Sequence, residues 1–347
     1  MTEAEIEKQI RDKTILVIGG TGTVGQQIIL ELSNYSPASL RVFSRDEYKQ
    51  FIMQNDFMFP NIRYFIGDVC DKQRVARAMK GVDIVFHLAA IKHVPAAEYN
   101  PFEAVKVNVI GTQNVIDCAI ENQVKRVVFT SSDKAVSPTN AMGATKLLAE
   151  RLISSTVTYQ GKYSSTVFCA VRFGNVMGSR GSVIPLFKRQ ILKQHKVTIT
   201  NPEMTRFMMT VPQAARLTIE AVLKAEGGEV FVLKMPVMKL RDLADIVIEK
   251  ICDNNGINPD SIEREIVGLR LGEKMYEELM TEEESEMAYE NSSMYAIMPW
   301  RMPWQQNKII EEKTWKKAEH KGYDSQNQNY LTKEMIKKMI DEEVGLD

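Results

Sequence analysis

The sequence has 347 residues, of which 44% are hydrophobic, so the chain can bury a large core and is not predominantly disordered. Its formal net charge of −1 removes the general electrostatic case for binding nucleic acid or an anionic membrane surface. The four cysteines lie far apart, and none stands at a metal-like spacing from the four histidines, which predicts reduced thiols and no metal site.

The first residues, MTEAEIEKQIRDK, are polar and contain neither the apolar run of a signal peptide nor a membrane anchor. No later stretch is apolar enough to span a bilayer. We therefore predict a cytoplasmic protein in which residues 1–12 form a polar segment before the first strand.

From Lys13 onward, short runs rich in β-branched residues alternate with longer segments of helical periodicity. The runs KTILVIGG, LRVFS, IRYFIGD, DIVFHLAA, KRVVFTSS and STVFCAVRF are typical of strands in a buried, mostly parallel sheet. The repeated strand, helix, strand order predicts a Rossmann-like, doubly wound α/β domain, which we assign to residues 13–174.

The alternation loosens after Gly174, where helix candidates such as TVPQAARLTIEAVLKA lie between short strands such as EVFVLKM. We interpret residues 175–299 as a smaller substrate-binding lobe, from which the chain can return to the main domain. Residues 300–347 are interpreted as a polar C-terminal tail with one predicted helix, KEMIKKMIDEE, after Thr332.

The turn after the first strand, VIGGTGTVG, places Gly19, Gly22 and Gly25 between a strand and a helix. Glycines in this context let backbone N–H groups and the helix N-terminus approach a pyrophosphate, which predicts dinucleotide binding. The alternative is a purely structural turn.

The second strand ends in Ser44 and Arg45, where an NAD enzyme would place a carboxylate for the ribose. An arginine suits the 2′-phosphate of NADP, so NADP is the favoured cofactor and NAD the alternative, with Asp46 on the ribose. His87 lies in an apolar strand and is interpreted as a hydrogen-bonded core histidine.

The fifth strand places Ser132 at the carboxyl edge of the sheet, where ligands bind in this architecture, and Asp133 and Lys134 follow directly. Near a nicotinamide, such a pair supplies an acid and a base. The alternative is an exposed surface ion pair.

Seven motifs occur in the order of a known family: GxxGxxG at 19–25, SRDE at 44–47, GDV at 67–69, HLAA at 87–90, NVIGTQNV at 108–115, SSDKAVSPTNAMGATK at 131–146 and RFGNVMGSRGSVIPLF at 172–187. From about Lys13 to Leu279 the chain resembles an extended short-chain dehydrogenase/reductase, specifically the UDP-N-acetylglucosamine 4,6-dehydratases of polysaccharide biosynthesis. The resemblance implies NADP as cofactor, a UDP-sugar substrate, and a homo-oligomer, dimeric or higher.

The resemblance also implies a reaction. NADP+ takes a hydride from C4 of the sugar, a neutral Lys134 removes the C5 proton, and Asp133 protonates the departing C6 hydroxyl. The hydride then returns to C6 and a proton to C5, so the cofactor ends unchanged. For the course at C5 we favour retention. Ser132 is assigned to the C4 oxygen and Lys146 to the nicotinamide ribose.

The remaining site residues form two groups. The predicted cofactor contacts are Gly19, Thr21, Gly22, Thr23, Val24, Gly25, Ser44, Arg45, Asp68, Val69, Leu88, Ala89, Ala90, Lys92, Asn108 and Lys146. The predicted contacts to the substrate are Asn175, Arg180, Ser182, Arg206 and Glu273, for which solvated loop positions are the alternative.

Met142 stands four residues before Lys146, where related reductases carry a tyrosine that accepts the proton of the oxidised hydroxyl. A thioether cannot titrate. Either another group takes this proton, or the chain is a non-enzymatic NADP-binding redox sensor, or Met142 is simple packing. We favour the enzyme, because a sensor has no chemical reason to keep Asp133, Lys134 and Lys146; a nucleotide-sugar 4-epimerase is a further alternative.

Overall fold

A sheet of ten strands, counted over the residues that the computed structural model describes, forms the centre of the molecule. Those residues are 1–57, 59–159, 165–179, 181–270, 272–299, 314–319 and 321–343. The elements up to residue 176 are, in chain order, α1 (Glu3–Ile10), β1 (Thr14–Ile18), α2 (Thr23–Ser33), β2 (Ser39–Ser44), α3 (Glu47–Asp56), β3 (Ile62–Ile66), α4 (Lys72–Met79), β4 (Ile84–His87), α5 (Val94–Tyr99), α6 (Pro101–Ala104), a π-helical stretch (Val105–Ile110), α7 (Gly111–Glu121), β5 (Arg126–Thr130), a 3-10 turn (Asp133–Ala135), α8 (Ala141–Tyr159), β6 (Val167–Arg172) and β7 (Asn175–Val176).

The second half of the chain is built from shorter strands and three long helices within the described residues. Its elements are, in chain order, α9 (Val183–Gln194), β8 (Lys196–Ile199), β9 (Thr205–Met209), α10 (Val211–Lys224), β10 (Val230–Leu233), β11 (Val237–Lys239), α11 (Leu240–Asn255), a second 3-10 turn (Pro259–Ser261), β12 (Glu263–Ile266), β13 (Glu278–Met280), α12 (Glu282–Ser285), β14 (Ala288–Glu290), β15 (Met294–Ile297), β16 (Lys316–Lys317), β17 (Tyr323–Asp324) and α13 (Lys333–Glu343).

The central sheet has the topology of a doubly wound fold. Parallel strands lie in the order β3-β2-β1-β4-β5-β6-β10, and β15, β14 and β16 extend the sheet in antiparallel pairing. The winding direction reverses between β1 and β4, which leaves a crevice at the carboxyl ends of these two strands. The predicted Rossmann-like, doubly wound fold is confirmed.

Two large clusters of buried apolar side chains stabilise the described part of the molecule, beside a small third cluster of Ala97, Ala104 and Met142. The larger contains the central sheet and the helices on both of its faces, and it explains the continuous apolar character of the parallel strands. The smaller lies among α9, β8 and α11 and includes Phe187 and Val247. The chain returns to the larger cluster through Leu279 and the strands β14 and β15.

The described part of the predicted polar tail is docked on the rest of the chain. Trp315 and Tyr323 are buried in the larger cluster, and Ile336 and Ile340 of α13 are fully buried in the smaller one. The composition of this segment is polar because α13 exposes most of its residues, but one apolar face is enough to fix a helix against a core.

Candidate active site

A cavity of about 800 Å³ lies along the carboxyl ends of β1, β2, β4, β5 and β6. At one end it is bounded by the turn after β1, and at the other by the residues that follow β5 and β6. The cavity therefore occupies the crevice at which ligands bind in doubly wound folds.

The glycine turn after β1 forms a close-fitting wall of this cavity. Gly19 has φ +84°, and a Cβ at this position would lie 2.8 Å from the backbone nitrogen of Ala89. Gly22 is the N-cap residue of α2 and supplies no capping side chain, so the first turn of α2 faces the cavity with its backbone. This arrangement fits the pyrophosphate of a dinucleotide, which the helix dipole also favours.

At the end of β2, the polar side chains are arranged around Ser44. Its Oγ accepts hydrogen bonds from Thr21 Oγ1 at 2.9 Å and from the backbone N–H of Asp46 at 3.1 Å. The Asp46 carboxylate caps α3 and pairs with Lys49. Arg45 is 63% exposed and lies 3.4 Å from Asp68, so this corner presents two cations to the cavity, Arg45 and Lys49.

Asp68 and Asn108 stand behind the cavity wall. Burial would raise the pKa of Asp68, but the hydrogen bond from the Cys70 N–H and the nearby Arg45 outweigh it and lower that pKa. Asn108, in the π-helical stretch, is fully buried; its amide bonds the N–H and C=O of Ile91 and the hydroxyl of Thr145. Asn108 thus holds the loop after β4 against α8. The direct contacts with the cofactor that were assigned to Asp68 and Asn108 stay predictions.

The other predicted cofactor positions all line the cavity: Gly19, Thr21, Gly22, Thr23, Val24, Gly25, Ser44, Arg45, Val69, Leu88, Ala89, Ala90, Lys92 and Lys146. The sequence placed Ser131 with Ser132 at this edge of the sheet but gave Ser131 no role, and the structure shows that it lines the cavity. Its side chain is 5% exposed, and its Oγ has no hydrogen-bond partner within the described ranges. Such an unpaired buried hydroxyl in a cavity wall is suited to a ligand.

The predicted acid and base form a tight ion pair on the 3-10 turn. Lys134 Nζ lies 3.1 Å from both carboxylate oxygens of Asp133, and Ser132 Oγ donates to Asp133 Oδ1 at 2.6 Å. Asp133 is 1% exposed and all three residues line the cavity. Asp133 is therefore buried at the cavity wall and Lys134 is half-buried there, unlike the exposed surface pair that was the alternative.

A second carboxylate, which sequence reasoning did not single out, faces the same lysine. Glu277 is 4% exposed, and its Oε1 lies 3.5 Å from Lys134 Nζ. Burial lowers the pKa of Lys134, but Asp133 and Glu277 outweigh it, so the net pKa is raised above its ordinary value. Lys134 is thus an ammonium in the resting protein, whereas the implied mechanism needs the neutral amine.

Lys146 lies in a different electrostatic environment. Its side chain is buried between β5 and α8, donates to the Thr130 carbonyl at 2.8 Å, and lies 4.5 Å from the centre of the Phe129 ring. Burial lowers the pKa of Lys146 to about 7, against an opposing effect of Glu150. A lysine that changes charge near neutral pH, in a cavity wall, is typical of a functional group.

Met142 occupies the tyrosine position as a packed side chain. It is 3% exposed, contacts Ala97 and Ala104, and lines the cavity. The next residue, Gly143, allows α8 to pack directly on the 3-10 turn (Asp133–Ala135), since a Cβ there would overlap the carbonyl oxygen of Lys134.

The predicted substrate residues divide between two connected cavities. Asn175 and Ser182 line both the large cavity and a smaller one of about 200 Å³, whereas Arg206 and Glu273 line only the smaller one. Ser182 Oγ is buried with no partner among the described side chains and backbone groups. Arg180 lies outside the described residues.

Arg206 is already engaged by the protein. Its NH1 donates to the carbonyls of Thr205 and Met275, and its NH2 donates to the carbonyl of Lys274. Its assignment to a diphosphate stays a prediction, and it requires these bonds to open.

His87, which the sequence placed in an apolar strand, and His93 occupy different positions. His87 is fully buried, with Nε2 3.0 Å from Thr112 Oγ1, and burial lowers its pKa to about 3. His93 lies at the cavity wall beside Gly181. In the part of the chain that the structure describes, no three His, Cys, Asp or Glu side chains gather as a metal site.

The sequence profile of the family described as "Polysaccharide biosynthesis protein" matches residues 15–299. The chain belongs to this family. A crystal structure, "Pen from Bacillus thuringiensis", is 51% identical, with a TM-score of 0.89 over 96% of this chain and 98% of that one. The chain is thus an extended short-chain dehydrogenase/reductase of the nucleotide-sugar dehydratase and epimerase kind.

Three curated members of differing name are similar to the chain. "Uncharacterized membrane protein MJ1061" of Methanocaldococcus jannaschii is 47% identical over 97% of this chain and 98% of its own length. "UDP-N-acetylglucosamine 4,6-dehydratase (inverting)" of Campylobacter jejuni is 43% identical over 83% of both chains. "UDP-glucose 4-epimerase" of Rickettsia akari is 38% identical over 95% of both. Among the helices described for the present chain, none has the length and apolar character needed to cross a bilayer.

Proposed function

We propose that the chain is an NADP-dependent UDP-N-acetylglucosamine 4,6-dehydratase that forms a 4-keto-6-deoxy sugar nucleotide. The observation that carries this proposal is the ion pair between the buried Asp133 and the half-buried Lys134 on the wall of the cofactor-sized cavity. An elimination of water needs an acid and a base close together, and the two side chains meet that requirement. A 43% identical relative bears the same name.

The cavity residues fit a dinucleotide with a 2′-phosphate. The glycine turn and the start of α2 would hold the pyrophosphate, and Arg45 with Lys49 would hold the 2′-phosphate, since Asp46 is engaged as a helix cap. When bound, NADP supplies hydride transfer at the sugar. Comparing the affinities for NADP and NAD, in the protein and in Arg45→Ala, tests this assignment.

The chain's own groups can carry the elimination. Transfer of the Lys134 ammonium proton to Asp133 produces an amine and a carboxylic acid within one hydrogen-bonded pair. The amine then takes the C5 proton of the 4-keto sugar, and the acid protonates the departing C6 hydroxyl. Both groups end the elimination in their resting charge states, so this step leaves the ion pair as it began.

Epimerisation is the second candidate, because "UDP-glucose 4-epimerase" relatives are 38% identical over nearly the whole chain. A 4-epimerase moves a hydride and a hydroxyl proton at one carbon and has no use for a second acid and base. The Asp133–Lys134 pair therefore favours dehydration, and it also disfavours the redox sensor.

The products separate these functions. Purified protein is incubated with NADP and UDP-N-acetylglucosamine, and the sugar nucleotide is examined by mass spectrometry. A dehydratase removes the mass of one water, an epimerase leaves the mass unchanged and alters the NMR spectrum, and a sensor does neither. Lys134→Ala should abolish the loss of water while NADP stays bound. Survival of dehydration in this variant would place the base elsewhere.

The product NMR spectrum also gives the course of the reaction at C5. The Campylobacter jejuni relative is named as inverting, whereas the sequence interpretation favours retention. The configuration of C5 in the product chooses between these two outcomes.

We further propose that the protein self-associates through the helices near residues 101–123 and 140–160. Phe102 and Leu148 on these segments are 63% and 51% exposed. Exposed apolar side chains on neighbouring helices are suited to a partner surface. Light scattering of the purified protein tests this, and a monomer would contradict it.

A further inference from the structure

Residues 272–278, here called the closing segment, lie against the catalytic 3-10 turn. Thr139 Oγ1 donates to the Gly272 carbonyl at 3.0 Å, and Lys274 Nζ donates to the Val136 carbonyl at 3.1 Å. Ser137 Oγ donates to the Glu278 carboxylate at 3.1 Å. The closing segment is thus fixed to residues 136–139, which directly follow the catalytic turn.

Glu277 is the residue of this segment that points at the pair. Its carboxylate oxygen Oε1 lies 3.5 Å from Lys134 Nζ and 3.8 Å from Arg206 Nε. Its backbone is held by Ser325, which accepts the Glu277 N–H on Oγ at 2.9 Å and donates its own N–H to the Glu277 carbonyl at 2.8 Å. Glu277 is therefore a fixed, buried carboxylate between two cations.

Arg206 stabilises this arrangement from the other side. Since its terminal N–H groups bond the carbonyls of Thr205, Lys274 and Met275, the guanidinium cannot follow a moving carboxylate. The position of Glu277 relative to Lys134 is consequently set by the fold, and not by flexible side chains.

Four charged groups face Glu277 from the elements packed around it: Asp133 and Lys134 on the catalytic turn, Arg206 on β9, and Lys274 on its own segment. Burial raises the pKa of Glu277, and Asp133 raises it further, against the three cations. Lys134 faces Asp133, Glu277 and Arg206. Two carboxylates thus share one lysine, and only Asp133 is next to it in the sequence.

We propose that Glu277 is a positioning residue for the elimination, which holds the Lys134 nitrogen in place and sets the pH range in which Lys134 works. This inference rests on the proposed dehydratase function, because only the elimination requires Lys134 as a base. In that step the Lys134 ammonium proton passes to Asp133, and the freed lone pair forms an N–H bond as the C5–H bond breaks. The C5–H electrons form the C5–C6 double bond, the C6–O bond breaks, and the oxygen leaves as water with the Asp133 proton.

The sign of the effect follows from the charges. A carboxylate near an ammonium raises the pKa of that ammonium, so replacing Glu277 with a neutral isostere lowers the pKa of Lys134. The elimination uses the one proton that Lys134 and Asp133 share, so the rate of dehydration falls as pH rises and Lys134 loses this proton to solvent. In Glu277→Gln this falling limb moves to lower pH by about one pH unit or more.

The experiment measures the rate of dehydration against pH in the full-length, NADP-loaded protein. Glu277→Gln and Glu277→Asp are compared with wild type and with the control Glu278→Gln, whose carboxylate bonds Ser137 and not Lys134. We expect the limb of the pH–rate curve to move to lower pH in Glu277→Gln. In Glu277→Asp the limb should stay at the wild-type pH, with a lower maximum rate. In the control Glu278→Gln the limb should not move. NADP retention should be unchanged in Glu277→Gln.

Two results would overturn the inference. If the limb of Glu277→Gln lies at the wild-type pH, whatever the maximum rate, Glu277 does not set the protonation state of Lys134. If Glu277→Gln does not fold, Glu277→Asp decides, since a displaced limb in this charge-retaining variant contradicts the electrostatic role. Absence of dehydration in the wild-type protein refutes the proposed function instead, so the two failures are distinct.

Discussion

Replacing Lys146 with methionine should stabilise the protein while removing its activity. The buried ammonium has one hydrogen bond in the structure, to the Thr130 carbonyl, and Glu150, the carboxylate that acts on it, is bonded to Arg172. Burial lowers the pKa of Lys146 from 10.5 to about 7. Methionine has a similar length and no charge, so Lys146→Met removes this cost of burial.

The magnitude follows from the linkage between pKa and stability. At about 1.4 kcal/mol per pH unit, the lowered pKa corresponds to about 5 kcal/mol of destabilisation of the native protein at and below pH 7. Loss of the hydrogen bond to Thr130 offsets about 1 kcal/mol, which leaves a gain of about 4 kcal/mol in Lys146→Met. As pH rises from about 7 to 10.5 the native state loses this proton before the unfolded chain does, so wild-type stability rises and the difference narrows.

Urea denaturation of the cofactor-free protein, from about pH 6 to about pH 9, measures this difference directly. Lys193→Met, at an exposed position on α9, is the matched control and should follow the wild-type curve within about 0.5 kcal/mol. If Lys146→Met differed from wild type by a constant free energy at every pH, Lys146 would not titrate in the native state and the reasoning would be wrong. Loss of dehydration in the stabilised variant would show that the lysine is retained for function at a cost in stability.

Three further predictions concern the same helix and its contacts. Met142→Leu conserves volume at a packed position, so turnover measured by mass spectrometry should stay within about ten-fold of wild type; a loss as deep as that of Lys134→Ala would contradict a packing role. Gly143→Ala places a methyl group against the Lys134 carbonyl and should lower kcat roughly ten- to hundred-fold with NADP still bound. An unchanged kcat would show that the 3-10 turn accommodates the methyl group without displacing the catalytic pair. Arg172→Met leaves the fully buried Glu150 carboxylate without its partner and should cost about 3–5 kcal/mol in urea denaturation; a cost below about 1 kcal/mol would mean that water reaches the carboxylate.

The features that the sequence predicted well are those encoded locally. A buried parallel strand must be a short, continuous apolar run, and a turn that approaches a dinucleotide must be built from glycine, so both are visible in a few adjacent residues. The neighbouring positions of Asp133 and Lys134 likewise guarantee their proximity, and the structure places them 3.1 Å apart.

Other features depend on which distant segments pack together. Glu277 lies in a different part of the chain from Lys134, and no spacing rule selects it from the neighbouring acidic residues Glu273 and Glu278. The hydrogen bonds that engage Arg206, and the amide of Asn108 that holds Ile91, are equally invisible in the sequence.

The sequence alone therefore determined the fold class and the adjacency of the proposed acid and base, because local patterns specify strands, turns and adjacent side chains. The tertiary structure alone decided the charge states of the two lysines, Lys146 and Lys134. Burial depends on the whole chain, and it makes Lys146 easy to deprotonate, while a carboxylate brought in by the closing segment keeps Lys134 protonated.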